Sequence, residues 1–323
     1  MKLRYILFSL LLLPAFSGSS QVTVSVLKDD PEGLNIFRVK IPIWIIQPAT
    51  ANFSIYAADF GLEAQVNDRF YFSSSYNTLL ADRLLPDSQD GLEFPATSYV
   101  ASKYEDQWSR YFHVEGTYFF KKYLEQTELT IGVKSSGNTR YVVSVPAKVL
   151  KKTGFRFAYR KGFQWYHLGG DESFKSDVEF DTEDQSTYLN YTQIRLGIAR
   201  AKTTNLFVNL KGYGDRSNSG TSFFYADIIL PISQKFDDVY YFKRSTGGSS
   251  GNGNTVYYTS HKIDEYNEKQ KVGFEVGWRI LPTSGLMGYQ VQFGTVTGLK
   301  GYFAPYLEMG MTLQLGNRAK LES

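Results

Sequence analysis

From Gly301 to Gly316 the chain alternates between two kinds of side chain. Phe303, Pro305, Leu307, Met309, Met311, Leu313 and Leu315 form an apolar series, and Tyr306, Glu308, Gly310, Thr312 and Gln314 fall between them. Successive side chains of a strand point to opposite faces, so this segment specifies a β-strand with one apolar and one polar face. Strands in soluble sheets usually run about 5–6 residues. The alternation here persists for about 13, more than the roughly 9–11 residues with which a tilted strand crosses a bilayer.

The order polar-x-Gly-x-x-apolar-x-apolar, carried by Glu308, Gly310, Leu313 and Leu315, resembles the assembly signal on the final strand of bacterial outer-membrane β-barrels. The two leucines stand where that class usually has aromatics, and Asn317–Ser323 continue beyond the signal. The tyrosine-rich strands are similar to those of Bacteroidota barrels. The resemblance implies the cell outer membrane as location, its lipid as surroundings, and the barrel-assembly machinery as a partner during biogenesis.

The first residues agree with export. Lys2 and Arg4 precede an apolar run from Tyr5 to Leu13 and the small residues Ser17–Ser20. This is the pattern of a secretory signal peptide, with cleavage expected before Gln21. The chain has no cysteine, so neither disulfides nor lipidation through a cysteine is available to it. The formal charge is +3; Lys2 and Arg4 supply two of the three, leaving +1 on the exported chain, which argues against a nucleic-acid partner. Mean hydropathy is −0.29, although the chain holds 24 Tyr and 24 Phe. Low hydropathy with many aromatics suits a transmembrane barrel, because only alternate residues meet lipid.

The same alternation recurs along the chain. Reading it segment by segment gives about fourteen strands between residues 36 and 316, joined by short turns near Asn67, Lys122, Lys152, Lys202, Lys235 and Thr283. The remaining connections include the three long ones, 81–107, 166–186 and 245–269. Short turns on one side and long loops on the other are the habit of outer-membrane barrels, with the turns in the periplasm. The expected architecture is therefore all-β: a single transmembrane antiparallel up-and-down barrel of about 14 strands over residues 36–316. A signal peptide (1–20) and a short periplasmic segment (21–35) precede it, and a periplasmic tail (317–323) follows. Phe112, Leu196, Val276 and Leu313 are expected to face lipid.

The opposite face carries Asp59, Glu63, His113, Glu115, Lys134, Arg140, Lys148, Arg156, Arg160, Arg195, Lys211, Glu275, Arg279 and Glu308. Arg140, Lys148, Arg156, Arg160 and Arg195 fall on successive strands and suggest a basic wall. Asp59, Glu63, Glu275 and Glu308 lie on strands that closure brings together, and suggest an acidic wall opposite. Two readings of this face stand. One is a watery lumen conducting polar or charged solutes; the other is a network of ion pairs that fills the barrel.

Catalytic signals are sparse. His113 and Glu115 share a face, but no nucleophile motif accompanies them. The acidic run from Asp171 to Asp184 lacks the ligand spacing of a calcium loop, and Gly247–Asn254 lacks the Lys-Ser/Thr of a phosphate loop. The expectation is no enzyme, cofactor or metal. Two function classes remain: a passive channel, or a non-conducting accessory barrel that anchors or scaffolds a secretion, assembly or surface complex. In the second, the aromatic loop stretches Tyr99–Trp108 and Tyr257–Tyr266 form a docking surface.

Overall fold

The computed structural model describes residues 22–48, 53–79, 110–136, 139–167, 186–236, 239–245, 255–261, 268–283, 287–295, 298 and 305–316, and the side chains of most of these. The leader (1–20), the tail (317–323), the acidic run and the Gly-rich stretch lie outside the described residues. So does the loop stretch Tyr99–Trp108.

Thirteen strands are described: Val24–Asp29 (β1), Ile36–Pro48 (β2), Phe53–Val66 (β3), Phe70–Leu79 (β4), Arg110–Ser136 (β5), Thr139–His167 (β6), Ser186–Leu210 (β7), Gly214–Phe236 (β8), Val239–Ser245 (β9), Thr255–His261 (β10), Gly273–Pro282 (β11), Met287–Thr295 (β12) and Pro305–Gly316 (β13). Eleven form one antiparallel sheet in the order β1-β7-β6-β5-β4-β3-β2-β13-β12-β11-β8, and pairing of β7 with β8 closes it into a ring. β1 pairs only with β7, so ten strands make the closed wall. β9 and β10 form a separate hairpin. Closure leaves no sheet edge within the wall, which is what a wall surrounded by hydrocarbon requires.

Burial is inverted relative to a soluble domain. Along β11, Gly273, Glu275, Gly277, Arg279 and Leu281 are buried, whereas Phe274, Val276 and Trp278 are exposed. Phe112 (43% exposed), Leu196 (45%) and Val276 (36%) lie on the outer face as expected, and Leu313 sits half-buried on that face of β13. The polar positions between them point into the ring. Such a distribution is that of a barrel whose outside meets lipid and whose inside is polar.

The Asn67–Asp68 turn forms as expected: both residues adopt positive φ (50° and 54°), and Arg69 N donates to Val66 O at 3.1 Å. This turn and the one after Pro282 lie at one end of the barrel, the turn end. The connections spanning 80–109, 168–185 and 262–267 leave from the other, the loop end.

The expected strand count does not hold. Lys122, Lys152 and Lys202 are not in turns: β5, β6 and β7 run straight through them, with Lys122 opposite Lys152 and Lys151 opposite Lys202. Lys235 sits near the end of β8 opposite Asn190, at the loop end and not among the turns. Three of the roughly fourteen strands that the alternation predicts, at Thr127–Lys134, Arg140–Val149 and Leu206–Tyr213, are instead continuations of β5, β6 and β7 beyond the turn end, β7 stopping at Leu210.

Those continuations form a small folded module. Side chains at Leu196 and Ile198 are exposed, and the same parity of β7 continues without a register break to Leu206, Val208 and Leu210, which are fully buried. They pack with Ile131, Val133, Val145 and Ala147 of the β5–β6 hairpin, and with Val22 and Val24. A register shift at Phe119/Lys121 turns the odd-numbered side chains of β5 toward the same core. The apolar stripe that lies exposed on the outside of the barrel is thus covered by a second layer of sheet beyond the turn end. The segment 21–35, expected as a simple lead-in, contributes β1, which takes the place beside β7 that β6 vacates: Val24 lies opposite Leu210 and Asp29 opposite Leu206. Asp29 also accepts a hydrogen bond from Lys148 N at 3.0 Å.

Candidate functional site

The barrel interior holds the densest chemistry of the chain. Arg156 of β6 pairs with Glu115 of β5 and with Asp227 of β8. Its guanidinium carbon lies 3.8 Å from the centre of the Tyr225 ring, a cation–π stack. Arg279 of β11 also pairs with Glu115 and lies 5.1 Å from the same ring. One carboxylate therefore holds two guanidiniums, and one tyrosine ring lies within reach of both.

A second group sits beside it. Arg195 of β7 pairs with Glu275 of β11, which also accepts from the Tyr306 hydroxyl. The Tyr225 hydroxyl lies 2.7 Å from Gln292 Oε1 and 3.1 Å from Glu275 Oε1 and donates to one of them at a time. Toward the loop end Arg160 faces Glu308 at 4.0 Å and stacks over Tyr111 at 4.4 Å. Gln290 Nε2 donates to Glu308 Oε1 at 3.1 Å. On the β2–β3 side Arg38 donates to Gln314 and lies 4.0 Å from Glu63, while Lys40 donates to Ser73.

Inward glycines make the room. A Cβ on Gly277 would stand 2.2 Å from Cζ of Tyr225, and one on Gly197 would meet Asp227 Oδ1 at 2.2 Å. Those two positions let the tyrosine ring and the aspartate lie flat against the wall.

Glu63, His113, Glu115, Arg156, Arg160, Arg195, Glu275, Arg279 and Glu308 all lie inside and buried, as their parity requires. Lys148, Lys134 and Lys211 do not: all three are exposed on the turn-end extensions, outside the lumen. The side chains of Asp59 and Arg140 lie outside those described. Of the proposed assembly signal, Glu308 joins the interior network, Gly310 is buried opposite Ile45 and Gln290, and Leu313 and Leu315 lie on the outer face.

Separate basic and acidic walls do not exist among the described residues. Each arginine of the supposed basic wall whose side chain is described has an acid beside it, because Asp227, Glu115 and Glu275 interleave with Arg156, Arg279 and Arg195. Buried opposite charges at this range attract strongly, and neither is left unneutralised. Sequence reasoning missed Asp227, Arg38 and Lys40. All three occupy alternate positions within apolar runs (Ala226-Asp227-Ile228 and Phe37-Arg38-Val39-Lys40-Ile41), which is a readable sign of an inward face.

What this arrangement can do chemically is limited. His113 Nε2 lies 3.2 Å from Glu115 Oε2, but that carboxylate is already engaged by two guanidiniums and so makes a poor general base. Among the described residues a polar cavity of about 30 Å³ is lined by Lys40, Ser73, Asn77, His113, Arg160 and Glu308 among others, room for a water or two. Among the described residues no group of three or more His, Cys, Asp or Glu converges as metal ligands would.

No family model matches the chain, and no curated protein matches it either. Among solved structures it is similar to a loop-L8 deletion mutant of OmpT, an outer membrane protein of Vibrio cholerae, at 8% identity and a TM-score of 0.20, covering 91% of this chain and 99% of that one. OmpT of Vibrio cholerae folded in vitro is similar at 8% identity and a TM-score of 0.19, covering 90% of this chain and all of that one. Likeness at this level says nothing of what the chain does.

Proposed function

We propose that this chain is an outer-membrane β-barrel that does not conduct and that serves as an anchor, holding a folded module at the membrane surface. The observation that carries this reading is the salt bridge of Arg279 with Glu115. The two residues stand on strands four steps apart round a ring of ten, so their side chains reach across the lumen instead of lining it. Eight-stranded barrels are filled by side chains, and ten strands enclose only slightly more. Here arginines and tyrosines supply the extra bulk.

The exposed apolar outer face supports placement in lipid. The hairpin module at the turn end and the loop-end hairpin β9–β10 give such an anchor two surfaces for a partner. In this reading the chain is not an enzyme and uses no cofactor.

The test is planar-bilayer recording of the refolded chain beside a co-purification of the native one. A correctly folded barrel that inserts and stays electrically silent is the expected result. Discrete, stable openings at modest voltage would overturn the closed-lumen reading and return the chain to the class of channels.

A further inference from the structure

Where the barrel wall leaves the lipid-facing girdle and before it enters the module core, the outer surface of β5, β6 and β7 changes character within two rungs. Phe155 and Ile198 are paired and exposed. On the next outward rung Thr153 is flanked by Lys121 on one side and Arg200 on the other. Beyond it Lys151 lies opposite Lys202. Still further, Leu206 is buried in the module.

Lys121, Arg200 and Lys202 are exposed, and no hydrogen bond or ion pair to any of them is present among the described residues. Glu125, four residues beyond Lys121 on β5, is paired with Lys151. Strand spacing puts Lys121 and Arg200 about 10 Å apart and Lys202 one rung, roughly 7 Å, beyond Arg200. Side chains as long as Lys and Arg can converge on one anion across that distance.

We infer that this notch binds the phosphate of an anionic membrane phospholipid, whose acyl chains lie along the Phe155–Ile198 girdle. Two observations carry the assignment to lipid: three cations stand on the outer face with no acid to answer them, and they continue the apolar girdle directly. A module roof above the notch fixes the depth at which a headgroup sits. The inference rests on the reading of the barrel as lipid-embedded.

The full mature chain, refolded in detergent, is titrated with phosphatidylglycerol, phosphatidylcholine or inorganic phosphate, and bound lipid is counted by native mass spectrometry. Vesicle flotation is run in parallel. The wild-type chain should float and retain phosphatidylglycerol over phosphatidylcholine, and the triple variant Lys121→Gln/Arg200→Gln/Lys202→Gln should float but lose that preference by about 10- to 100-fold. A variant with Lys161→Gln, at the opposite end of β6, should keep it. Should the triple variant not fold, the wild type decides alone: about 0.5 M NaCl should abolish the preference, and a preference indifferent to salt overturns the proposal. Displacement of lipid by inorganic phosphate would make the notch a site for free anions and overturn the lipid assignment. A wild type that floats with no preference sinks the site alone, and one that does not float sinks the membrane reading beneath it.

Discussion

Glu115 on β5 and Arg279 on β11 meet across the barrel, four strands apart round the wall. Glu115 is simultaneously the partner of Arg156, so its removal leaves two buried guanidiniums short of a counter-charge. Replacing one member of a buried ionic group typically costs about 3–5 kcal/mol, most of it the penalty of the charge left behind. Glu115→Ala should therefore lower the urea midpoint of the refolded barrel sharply. Glu115→Ala/Arg279→Ala should cost clearly less than the sum of the two single changes, which a double-mutant cycle reads directly. Additive effects would mean that the pair is not coupled.

Gly277 and Tyr225 make a steric prediction of the same kind. Tyr225 is fully buried, and a methyl at Gly277 would overlap its ring. Gly277→Ala should destabilise the barrel by about 1–3 kcal/mol, the usual cost of overpacking. Combining it with Tyr225→Leu should recover part of that loss. A Gly277→Ala protein that melts like the wild type would show that the ring has somewhere else to go.

The outward and inward faces were readable because a strand's period of two is rigid: once Leu196 faces out, Arg195 must face in. Parity alone thus assigns most of the interior residues to the inward face. Strand ends were less legible for a physical reason. Alternation reports that one face is apolar, not what covers it, and Leu206, Val208 and Leu210 alternate as a lipid-facing strand would. They are covered instead by Ile131, Val145 and Ala147. The lysines near residues 122, 152 and 202 marked a real boundary, the exit from the girdle, but the backbone pairs straight through it. Charge pairing was illegible as well, since the sequence shows which residues share a face but not that Arg156 of β6 reaches Asp227 of β8.

The two halves of the β7 stripe should respond differently to a charge. Leu196→Arg places a cation against hydrocarbon and should cost about 2–4 kcal/mol if it sits near mid-depth, impairing insertion and the heat-modifiable gel shift. Val208→Asp falls in the module core, where Val208 is fully buried. It should leave the gel shift intact while exposing residues 121–149 to limited proteolysis. Loss of the gel shift in Val208→Asp would show that the module is needed to form the barrel.

Lys152 gives a pH dependence with a definite sign. It sits at the turn-end mouth, beyond the last girdle residue of its strand, Phe155, with its ammonium 5.0 Å from the Phe119 ring. No hydrogen-bond partner for that ammonium is present among the described residues. Burial lowers its pKa from 10.5 to about 8, with Asp68 opposing the shift and Lys122 reinforcing it. Between those two values the unfolded chain holds a proton that the folded chain has released, so stability rises with pH across this window. Below about pH 8 both states are protonated, and the folded state bears the cost of a buried cation in full. The gain from pH 8 to 10.5 is on the order of 3 kcal/mol at most. Lys152→Met should be more stable than the wild type near pH 7 and should lack this part of the slope. If the urea midpoints of wild type and Lys152→Met run parallel from pH 7 to 10.5, the ammonium is solvated in solution and the mouth is more open than the packing around Phe119 implies.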